Sequence, residues 1–154
     1  MSDFPDDDHR FMQAALEQAR LGFAEGGVPI GAALVLDGRI VGSGRNRRVQ
    51  QGSPILHGET DCLRDAGRLS AAEYRRATMY TTLSPCDMCS GAILLFGIPR
   101  VVMAERRTFV GAEALLASRG VELRDLDLAE PVELMRRFAS THPEVWNEDI
   151  GEEA

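Results

Sequence analysis

A histidine and a glutamate separated by one glycine, His57-Gly58-Glu59, precede a second short segment, Pro85-Cys86-Asp87-Met88-Cys89. Imidazole and thiolate suit Zn²⁺, and a catalytic zinc site uses three protein ligands and keeps a fourth position for water. His57, Cys86 and Cys89 supply three such ligands. Glu59 is then a carboxylate that the metal does not need, which makes it a candidate for moving protons. The two segments together indicate a catalytic metal site.

The spacing of these residues also predicts where they lie. Cys86 and Cys89 are three residues apart, which places both side chains on one face of a helix, and Pro85 is a favoured first helical residue. The positive end of that helix would lower the pKa of both thiols and favour thiolates. His57 and Glu59 are only two residues apart. We therefore expect them at the entry turn of another helix, where the intervening glycine lets backbone approach a ligand closely.

Two other interpretations of the cysteines stay open. A Cys-x-x-Cys pair can be a redox pair, as in thioredoxin-like proteins, although such a pair needs no distant His-x-Glu. A purely structural zinc site would need a fourth ligand from Cys62, His9 or His142, none of which has a zinc-finger spacing. We expect Cys62 to be a small buried apolar residue on the helix after His57, and we assign no site to His9 or His142.

Length and cysteine content restrict the class of protein. The 154 residues suffice for a substantial core, and we expect 1–154 to form a single domain. Three cysteines, two of them in the metal motif, fit a reducing compartment better than a disulfide framework. Segment 1–10 is acidic and unlike a secretory signal, and the longest apolar patch, 91–99, is too short to cross a bilayer. These features predict a soluble, cytoplasmic protein without membrane contact.

The charge argues against a nucleic-acid partner. The formal net charge is −7 and the pI is near 5.0, whereas nucleic-acid binding draws most of its affinity from lysine and arginine on phosphates. Arg45, Arg47 and Arg48 do cluster. We expect them to form a solvated strand end rather than a phosphate-binding track.

Hydrophobic periodicity predicts the elements that position the site. Apolar residues at 11, 12, 15, 16 and 19 predict an amphipathic helix over 6–23, which Gly26-Gly27 ends. Asp37-Gly38 predicts the tight turn of a hairpin formed by strands 30–36 and 40–43. The rest of the chain predicts, in order, a helix from about 57 to 68, a strand over 78–82, a helix over 86–96, a strand over 100–104, a helix over 111–118, a strand over 121–126 and a helix over 129–139.

This order indicates an α/β fold, a three-layer α/β/α sandwich with a mixed five-stranded sheet, because each crossover after the hairpin must return across the sheet. The two motif helices would follow the second and third strands, and ligands in open α/β sheets gather beyond the carboxyl ends of strands. The helix over 86–96 is apolar around its circumference at 92–96. It should be buried on more than one side, either wholly in the core or partly against another subunit.

The chain resembles fungal-type cytosine deaminases of the zinc-dependent cytidine deaminase superfamily. The zinc signature is shared by many deaminases, whereas a Trp followed closely by Glu-Asp-Ile-Gly-Glu is much narrower. The resemblance implies the cytidine deaminase-like fold, one Zn²⁺ per chain, a homodimer, and a C-terminal tail, 141–154, that closes over the active site. The matching segments are Val28-Pro29-Ile30-Gly31, Gly44-Arg45-Asn46, His57-Gly58-Glu59, 81–89, Gly97-Ile98-Pro99-Arg100, Trp146 and 148–152.

The same resemblance implies roles for individual substrate-binding residues. Asn46 and the backbone N–H of Gly58 would bind the pyrimidine carbonyl, and Asp149 would bind a polar edge of the ring. The Ser84 carbonyl would receive the departing amine. Apolar walls would come from Ile30, Leu83, Phe109 and Trp146. Without the resemblance, Ile30 and Leu83 would be assigned to the core, Asn46 to a turn and Asp149 to solvent.

The reaction implied is hydrolytic deamination of cytosine to uracil, with Glu59 as the proton shuttle for metal-activated water. The chain departs from the fungal enzymes at Asn147, where they have a second aromatic residue. Hence 5-methylcytosine, isocytosine, guanine, aminotriazines and creatinine-like rings stay open as substrates. A tRNA adenosine deaminase would share the motif but needs a basic surface. A zinc-stabilised interaction module is a third possibility, against which Glu59 argues.

Overall fold

A computed structural model of the protein describes residues 7–153. Asp6, the expected start of the first helix, and most of the acidic segment 1–10 lie outside this range. The helices are α1 Asp7–Ala24, α2 Arg48–Gln51, α3 Gly58–Ala66, α4 Ala71–Tyr74, α5 Asp87–Phe96, α6 Glu113–Ser118, α7 Ala129–Thr141 and α8 Pro143–Asp149. The strands are β1 Gly31–Leu36, β2 Arg39–Arg45, β3 Ala77–Thr81, β4 Arg100–Met103 and β5 Glu122–Asp125.

The strands form the mixed five-stranded sheet that the sequence predicts, in the order β2-β1-β3-β4-β5. β1 is antiparallel to β2 and to β3, whereas β3, β4 and β5 are parallel to one another. The predicted hairpin turn is present. Asp37 and Gly38 both have positive φ, 52° and 77°, as a two-residue type I′ turn requires.

Side chains of β1 alternate between two cores. Ala32 and Leu34 belong to a core that α3, α5 and α6 complete, whereas Ala33 and Val35 belong to a core that α1 completes. All six residues of β1 are buried, so helices cover both faces of the sheet. α7 lies against α1 and α8. The three-layer α/β/α arrangement is confirmed.

The motif residues lie at one edge of the sheet. Gly31, at the amino end of β1, pairs with Arg45 at the carboxyl end of β2 and accepts a hydrogen bond from Thr82 N just after β3. From this edge β2 continues into Asn46, and β3 continues through a short loop to Cys86. Two strand ends thus bring Asn46 and the segment with the predicted metal ligands Cys86 and Cys89 to one place, as open α/β sheets commonly do.

α5 begins later than predicted, and Pro85 is not its first residue. Cys86 is the N-cap, with φ −68° and ψ 178°. Pro85 O accepts hydrogen bonds from Ala112 N and Ser90 Oγ, so the helical ladder starts only at Cys86 O, which accepts from Ser90 N at 2.8 Å. Cys89 is then the third helical residue, and both sulfurs still lie at the positive end of the helix.

The three clustered arginines are not the solvated group that the sequence suggested. The side chains of Arg45, Arg47 and Arg48 are only 15%, 25% and 15% exposed. Each forms an ion pair, because folding brings carboxylates from distant segments to this strand end. The partners are Glu25 for Arg45, Asp61 for Arg47, and Glu148 and Asp149 for Arg48.

α5 is not a pure core helix. Ile93 is fully buried, but Leu95 is 79% exposed. Cys62 is fully buried on α3, as predicted, with its thiol 3.4 Å from Gly42 O. Within residues 7–153, no helix combines the length and hydropathy needed to cross a bilayer.

Candidate metal centre and active site

The three predicted metal ligands converge where two helices begin. His57 is the N-cap of α3 and Cys86 is the N-cap of α5. The ligand atoms of His57, Cys86 and Cys89 all lie within 4.8 Å of one another, and His57 Nδ1 is 3.4 Å from Cys86 Sγ. A tetrahedral zinc ion bound by nitrogen and sulfur would hold these two atoms about 3.6 Å apart. The donor set and its geometry therefore fit Zn²⁺.

The protonation states of these ligands favour cation binding. Hydrogen bonding by Cys89, helped by His57, lowers the pKa of the Cys86 thiol to about 4 against the effect of burial. Cys86 is thus a thiolate at neutral pH, the form that binds metal. The hydrogen bond with Cys86 and burial raise the pKa of Cys89. Burial lowers the pKa of His57, but Cys86, Asp149 and Glu59 outweigh it and raise the value to about 9. Cation binding therefore displaces protons from this cluster.

Glu59 lies one helical position beyond Gly58 and is 3% exposed. The Thr81 hydroxyl contacts Glu59 Oε1 and lies 3.0 Å from Leu83 O. Burial raises the pKa of Glu59, and the charge of Cys86 adds to the effect. A carboxyl whose pKa moves toward neutrality can both take up and return a proton. Glu59 therefore has the properties of an acid and base beside the ligand cluster.

A small pocket adjoins the cluster. Its aromatic wall is formed by Phe109 and Trp146, whose rings meet edge to face with centroids 6.1 Å apart. Nine of the predicted site residues line the pocket together with Ile150; they are Ile30, His57, Glu59, Leu83, Ser84, Cys86, Phe109, Trp146 and Asp149.

The other predicted site residues lie directly behind this lining. Cys89 and Asn46 are fully buried. Gly58 packs against β1, where a Cβ atom would lie 3.1 Å from Ile30 O. The missing side chain therefore allows α3 to approach the strand closely.

Asn46 and Asp149 form a buried pair at one side of the pocket. Asn46 Nδ2 donates to Asp149 Oδ1 at 2.8 Å. Arg48 Nη1 lies 3.4 Å from the same oxygen, and Arg48 Nη2 lies 3.3 Å from Glu148 Oε1. His57 Nε2 is 3.7 Å from Asp149 Oδ1. The end of α8 is thus joined to the end of β2 and faces the metal-binding histidine.

The loop that carries Phe109 is fixed by hydrogen bonds to Ser84 and Glu105. Ser84 Oγ accepts from Gly111 N at 2.9 Å and donates to Glu113 Oε2 at 2.6 Å. Glu105 is fully buried, and its Oε2 accepts from the backbone N–H groups of residues 107 and 108. These contacts hold the aromatic wall at a defined distance from the segment that leads to Cys86.

Sequence reasoning missed three residues at this site. Ile150 lines the pocket, Thr81 contacts Glu59, and Arg48 contacts Asp149. Ile150 lies inside the Glu-Asp-Ile-Gly-Glu segment, which was a usable signal. Thr81 is the first residue of the matching segment 81–89, and Arg48 lies two residues after Asn46, but their contacts depend on packing between distant parts of the chain.

Comparison with known proteins agrees with this geometry. Residues 5–105 match the family model of the cytidine and deoxycytidylate deaminase zinc-binding region. A cytosine deaminase from Candida albicans is 50% identical over 147 residues, which cover 95% of this chain and 98% of that protein. A tRNA-specific adenosine deaminase from Streptococcus pyogenes is 38% identical over 108 residues, which cover 68% of this chain and 67% of that protein.

The fold is also that of deaminases. A solved structure from studies of A-to-I editing by tRNA:A34 deaminases superimposes with a TM-score of 0.70 at 30% identity and covers 82% of this chain and 99% of that one. The family model spans both halves of the zinc signature, from His57 to Cys89. From these matches and the ligand geometry, the chain belongs to the cytidine and deoxycytidylate deaminase family of zinc-dependent hydrolases.

Proposed function

We propose that this protein hydrolyses the free base cytosine to uracil and ammonia. The observation that carries the proposal is the small pocket where Glu59, the ligand cluster and the pair Phe109 and Trp146 meet. The rings of Phe109 and Trp146, which meet edge to face, suit a flat ring that can contact aromatic groups. The 50% identity to the Candida albicans cytosine deaminase supports the same substrate.

Glu59 carries the proton transfers. His57, Cys86 and Cys89 would hold a zinc ion, which when bound would supply a water of lowered pKa as the nucleophile. Because two thiolates would offset the charge of the metal, a separate base would still be needed. Glu59 takes a proton from that water and gives it to N3 of the base while the oxygen attacks C4. The same carboxyl then takes the second proton from the hydroxyl now on C4 and gives it to the amino group, so that the bond from C4 to that nitrogen breaks, ammonia leaves and the C4 carbonyl forms. Cytosine and water become uracil and ammonia, and Glu59 returns to its starting state.

The base is held by polar groups at its edge and apolar groups at its faces. Asn46 and the Gly58 N–H bind the ring carbonyl, Asp149 binds a second polar edge, and the Ser84 carbonyl receives the departing amine. The burial of Asn46 and Asp149 supports these roles. A ring that cannot hydrogen-bond to these buried groups would leave polar atoms without a partner, and the cost in free energy would weaken its binding. Faces of the ring contact Ile30, Leu83, Phe109 and Trp146.

Other small aminated rings are the first alternative. Asn147 replaces the second aromatic residue of the fungal enzymes and lies next to Trp146. A pocket whose shape differs at this position would accept 5-methylcytosine, isocytosine, guanine, an aminotriazine or a creatinine-like ring. The second alternative, tRNA adenosine deamination, is favoured by the 38% identical relative from Streptococcus pyogenes. Against it stand the net charge of −7 and the ion pairing of Arg45, Arg47 and Arg48, because tRNA binding needs unpaired cations.

Ammonia release from a panel of aminated substrates tests the proposal. The panel contains cytosine, 5-methylcytosine, isocytosine, guanine, aminotriazines, cytidine and adenosine, with zinc-loaded protein and Glu59→Ala as the blank. We expect cytosine to be turned over fastest. Turnover of another free base alone would replace cytosine but keep the mechanism, and salt-sensitive tRNA binding with adenosine turnover would overturn the free-base assignment. Zinc-loaded protein that turns over nothing would support the non-enzymatic interaction module.

We also propose that residues 1–154 act as one cytoplasmic domain and that 141–154 form a tail closing the pocket. The pocket contacts of Trp146, Asp149 and Ile150 support the tail's role. All three cysteines are unpaired, which suits a reducing compartment.

We further propose a homodimer in which α5 packs against a second copy. Leu95 is 79% exposed on this helix, and exposed apolar patches commonly mark interfaces. Beside it, a groove between α3 and α5 is lined by Thr60, Leu63, Arg64, Gly67, Arg68, Tyr74, Ala92 and Phe96. Light scattering should show that Leu95→Glu is a monomer, whereas Ile40→Glu, which changes an exposed apolar residue of β2, stays dimeric. A dimeric Leu95→Glu protein would exclude this interface.

A further inference from the structure

We propose that Asp61 is a positioning residue that sets Asn46 in register with the metal-binding turn of α3. The inference rests on the substrate-binding role proposed for Asn46. Asp61 itself does not line the pocket, and it was not among the residues singled out in the sequence.

One oxygen of Asp61 contacts both neighbours of Asn46. Asp61 Oδ2 accepts from the backbone N–H of Arg45 at 3.0 Å and from Nε of Arg47 at 2.9 Å. Its other oxygen accepts from Arg64 Nη2 at 2.7 Å. The Asp61 side chain is only 4% exposed, and its charge-assisted bonds to Arg45 N and Arg47 Nε fix its position.

The backbone around Asn46 has little remaining freedom. Asn46 N donates to Ile30 O, and Arg47 N donates to Leu56 O, both at 2.9 Å. Asn46 Oδ1 accepts from Arg48 N at 3.1 Å. The side-chain nitrogen is therefore directed to Asp149 and the pocket, and the direction depends on how the two flanking residues are held.

Asp61 also connects the segment around Asn46 to the turn of α3 that carries Glu59. Asp61 N donates to His57 O at 2.9 Å, so the residue belongs to the same first turn of α3 as His57 and Glu59. β2 lies close enough to this turn that a Cβ atom on Gly44 would overlap backbone atoms of Asp61 and Cys62. A single carboxylate thus sets the spacing between Asn46, which would hold the base, and Glu59, which would move the protons.

A purely structural role would be to anchor α3 to β2, and Asp65 provides the matched control. Asp65 lies one turn further along α3, and its Oδ2 accepts from Ser43 N of the same strand at 2.9 Å. It is exposed and touches neither neighbour of Asn46. Both carboxylates join the same helix to the same strand, but of the two only Asp61 contacts the residues on either side of Asn46.

The test is a double-mutant cycle between Asp61→Asn and Asn46→Ala, with kcat and KM measured for the base that the panel shows to be turned over. We expect Asp61→Asn to raise KM about 10-fold, with a smaller change in kcat and unchanged zinc content, because it weakens binding of the base rather than the chemical step. In the Asn46→Ala background the same substitution should change KM less than about 2-fold. Asp65→Asn should leave KM within about 2-fold in either background.

Equal effects of Asp61→Asn in both backgrounds, or an equal effect of Asp65→Asn, would reduce Asp61 to a structural anchor. An Asn46→Ala variant with unchanged KM would instead remove the role proposed for Asn46, and the inference would fall with it. If Asp61→Asn does not fold, Arg47→Met removes one contact of Asp61 from a partly exposed side chain. We expect it to raise KM about 3-fold, with loss of this effect in the Asn46→Ala background; an unchanged KM would overturn the proposal.

Cytosine binding without turnover provides an independent readout. Proton transfer is removed in the Glu59→Gln background, so cytosine can bind without being turned over. There, Asp61→Asn should raise the dissociation constant of cytosine about 10-fold, and less than about 2-fold when Asn46→Ala is also present. A dissociation constant that Asp61→Asn leaves unchanged would contradict the proposal even if KM had moved.

Discussion

Asn46 Nδ2 donates a 2.8 Å hydrogen bond to Asp149 Oδ1, although 103 residues separate the two in the chain. One residue follows β2 and the other ends α8, so these two segments orient each other at one side of the pocket before a substrate enters. Such preorganisation lowers the cost of ordering polar groups on binding. With the substrate-binding roles proposed above, the contact also makes the position of α8 a determinant of how the base is held.

Arg48→Ala should weaken the attachment of α8. Arg48 contacts Asp149 and Glu148 at 3.4 and 3.3 Å, and loss of about 1 kcal/mol of ion pairing corresponds to about a 5-fold change in an equilibrium constant. We expect KM to rise by that factor and limited proteolysis to cleave faster within residues 141–153. Arg136→Ala, which removes an exposed pair with Glu133 on α7, is the control. Equal cleavage rates for the two variants would argue against an anchoring role of Arg48.

Glu59→Gln should keep zinc but lose turnover. The amide occupies nearly the same buried volume beside Thr81, yet it cannot accept and return a proton. Loss of a general acid and base costs about 10²–10⁴-fold in kcat. Steady-state kinetics together with elemental analysis measure both properties. Glu17→Gln, on the exposed side of α1, should be indistinguishable from the parent. A Glu59→Gln protein with intact metal and kcat within tenfold of the parent would eliminate the shuttle.

Cys86→Ala and Cys62→Ala should separate metal binding from packing. Cys86 is one of the three clustered ligands, so its removal should abolish stoichiometric zinc and activity together. Cys62 also has a thiol that could bind zinc, but it lies in the hydrophobic core. Its truncation should keep the metal and cost about 1 kcal/mol of stability.

Thermal unfolding with and without a chelator checks this prediction. A ligand that binds only the folded state raises the melting temperature, so chelation should lower it for the parent and for Cys62→Ala but not for Cys86→Ala. Stoichiometric zinc in purified Cys86→Ala would contradict the assignment of that ligand.

Asp8 should stabilise the fold in a pH-dependent way. Its carboxylate accepts from Arg100, Arg124 and the Tyr80 hydroxyl at 2.6–2.8 Å, and the Arg100 hydrogen bond, although burial opposes it, holds the pKa of Asp8 well below its usual range. Because this pKa is depressed on folding, the stabilisation is complete above the carboxyl's unfolded pKa of about 3.9 and is lost as pH falls toward the folded value.

Asp8→Asn measures that contribution. Breaking a fully buried ion pair costs about 3–5 kcal/mol. The Arg100 and Arg124 side chains are 29% and 41% exposed, so we expect about 2 kcal/mol at neutral pH. Urea unfolding at pH 7 and at pH 3 should show the difference from the parent shrinking in acid. Asp7→Asn, which removes only an exposed pair with Arg10, should have no measurable effect; a difference for Asp8→Asn that is constant with pH would contradict the linkage.

Local sequence patterns predicted the long elements, and the missed elements are short. The helices and strands that periodicity indicated are all present, with ends shifted by one or two residues in most cases. α4 carried a readable signal, the capping box of Ser70 and Glu73, and α8 begins with Pro143, a favoured first residue. α2 has no side-chain cap. Its four residues are held by the chain around them rather than by their own sequence.

The residues of the site can likewise be separated into those that local sequence predicted and those that it did not. His57, Glu59 and the two motif cysteines were predictable because their chemistry is encoded in short spacings. The pairing of Arg48 with Asp149 was not, because it requires β2 and α8 to meet in space. The overall acidity even favoured the opposite expectation, that the arginine cluster would be solvated. Net charge describes the whole surface, whereas ion pairing depends on which carboxylates the fold brings to each arginine.

The sheet register places the Asp37-Gly38 turn at the edge opposite the pocket, since β1 begins at Gly31 beside the site and ends at Leu36 beside the turn. Six residues of strand span about 20 Å. An ion pair of this turn, between Asp37 and Arg76, joins side chains that are 59% and 52% exposed. A fluorophore or a tether inserted there would therefore leave both cores intact, and protein immobilised through this turn would present its pocket to the surrounding solution.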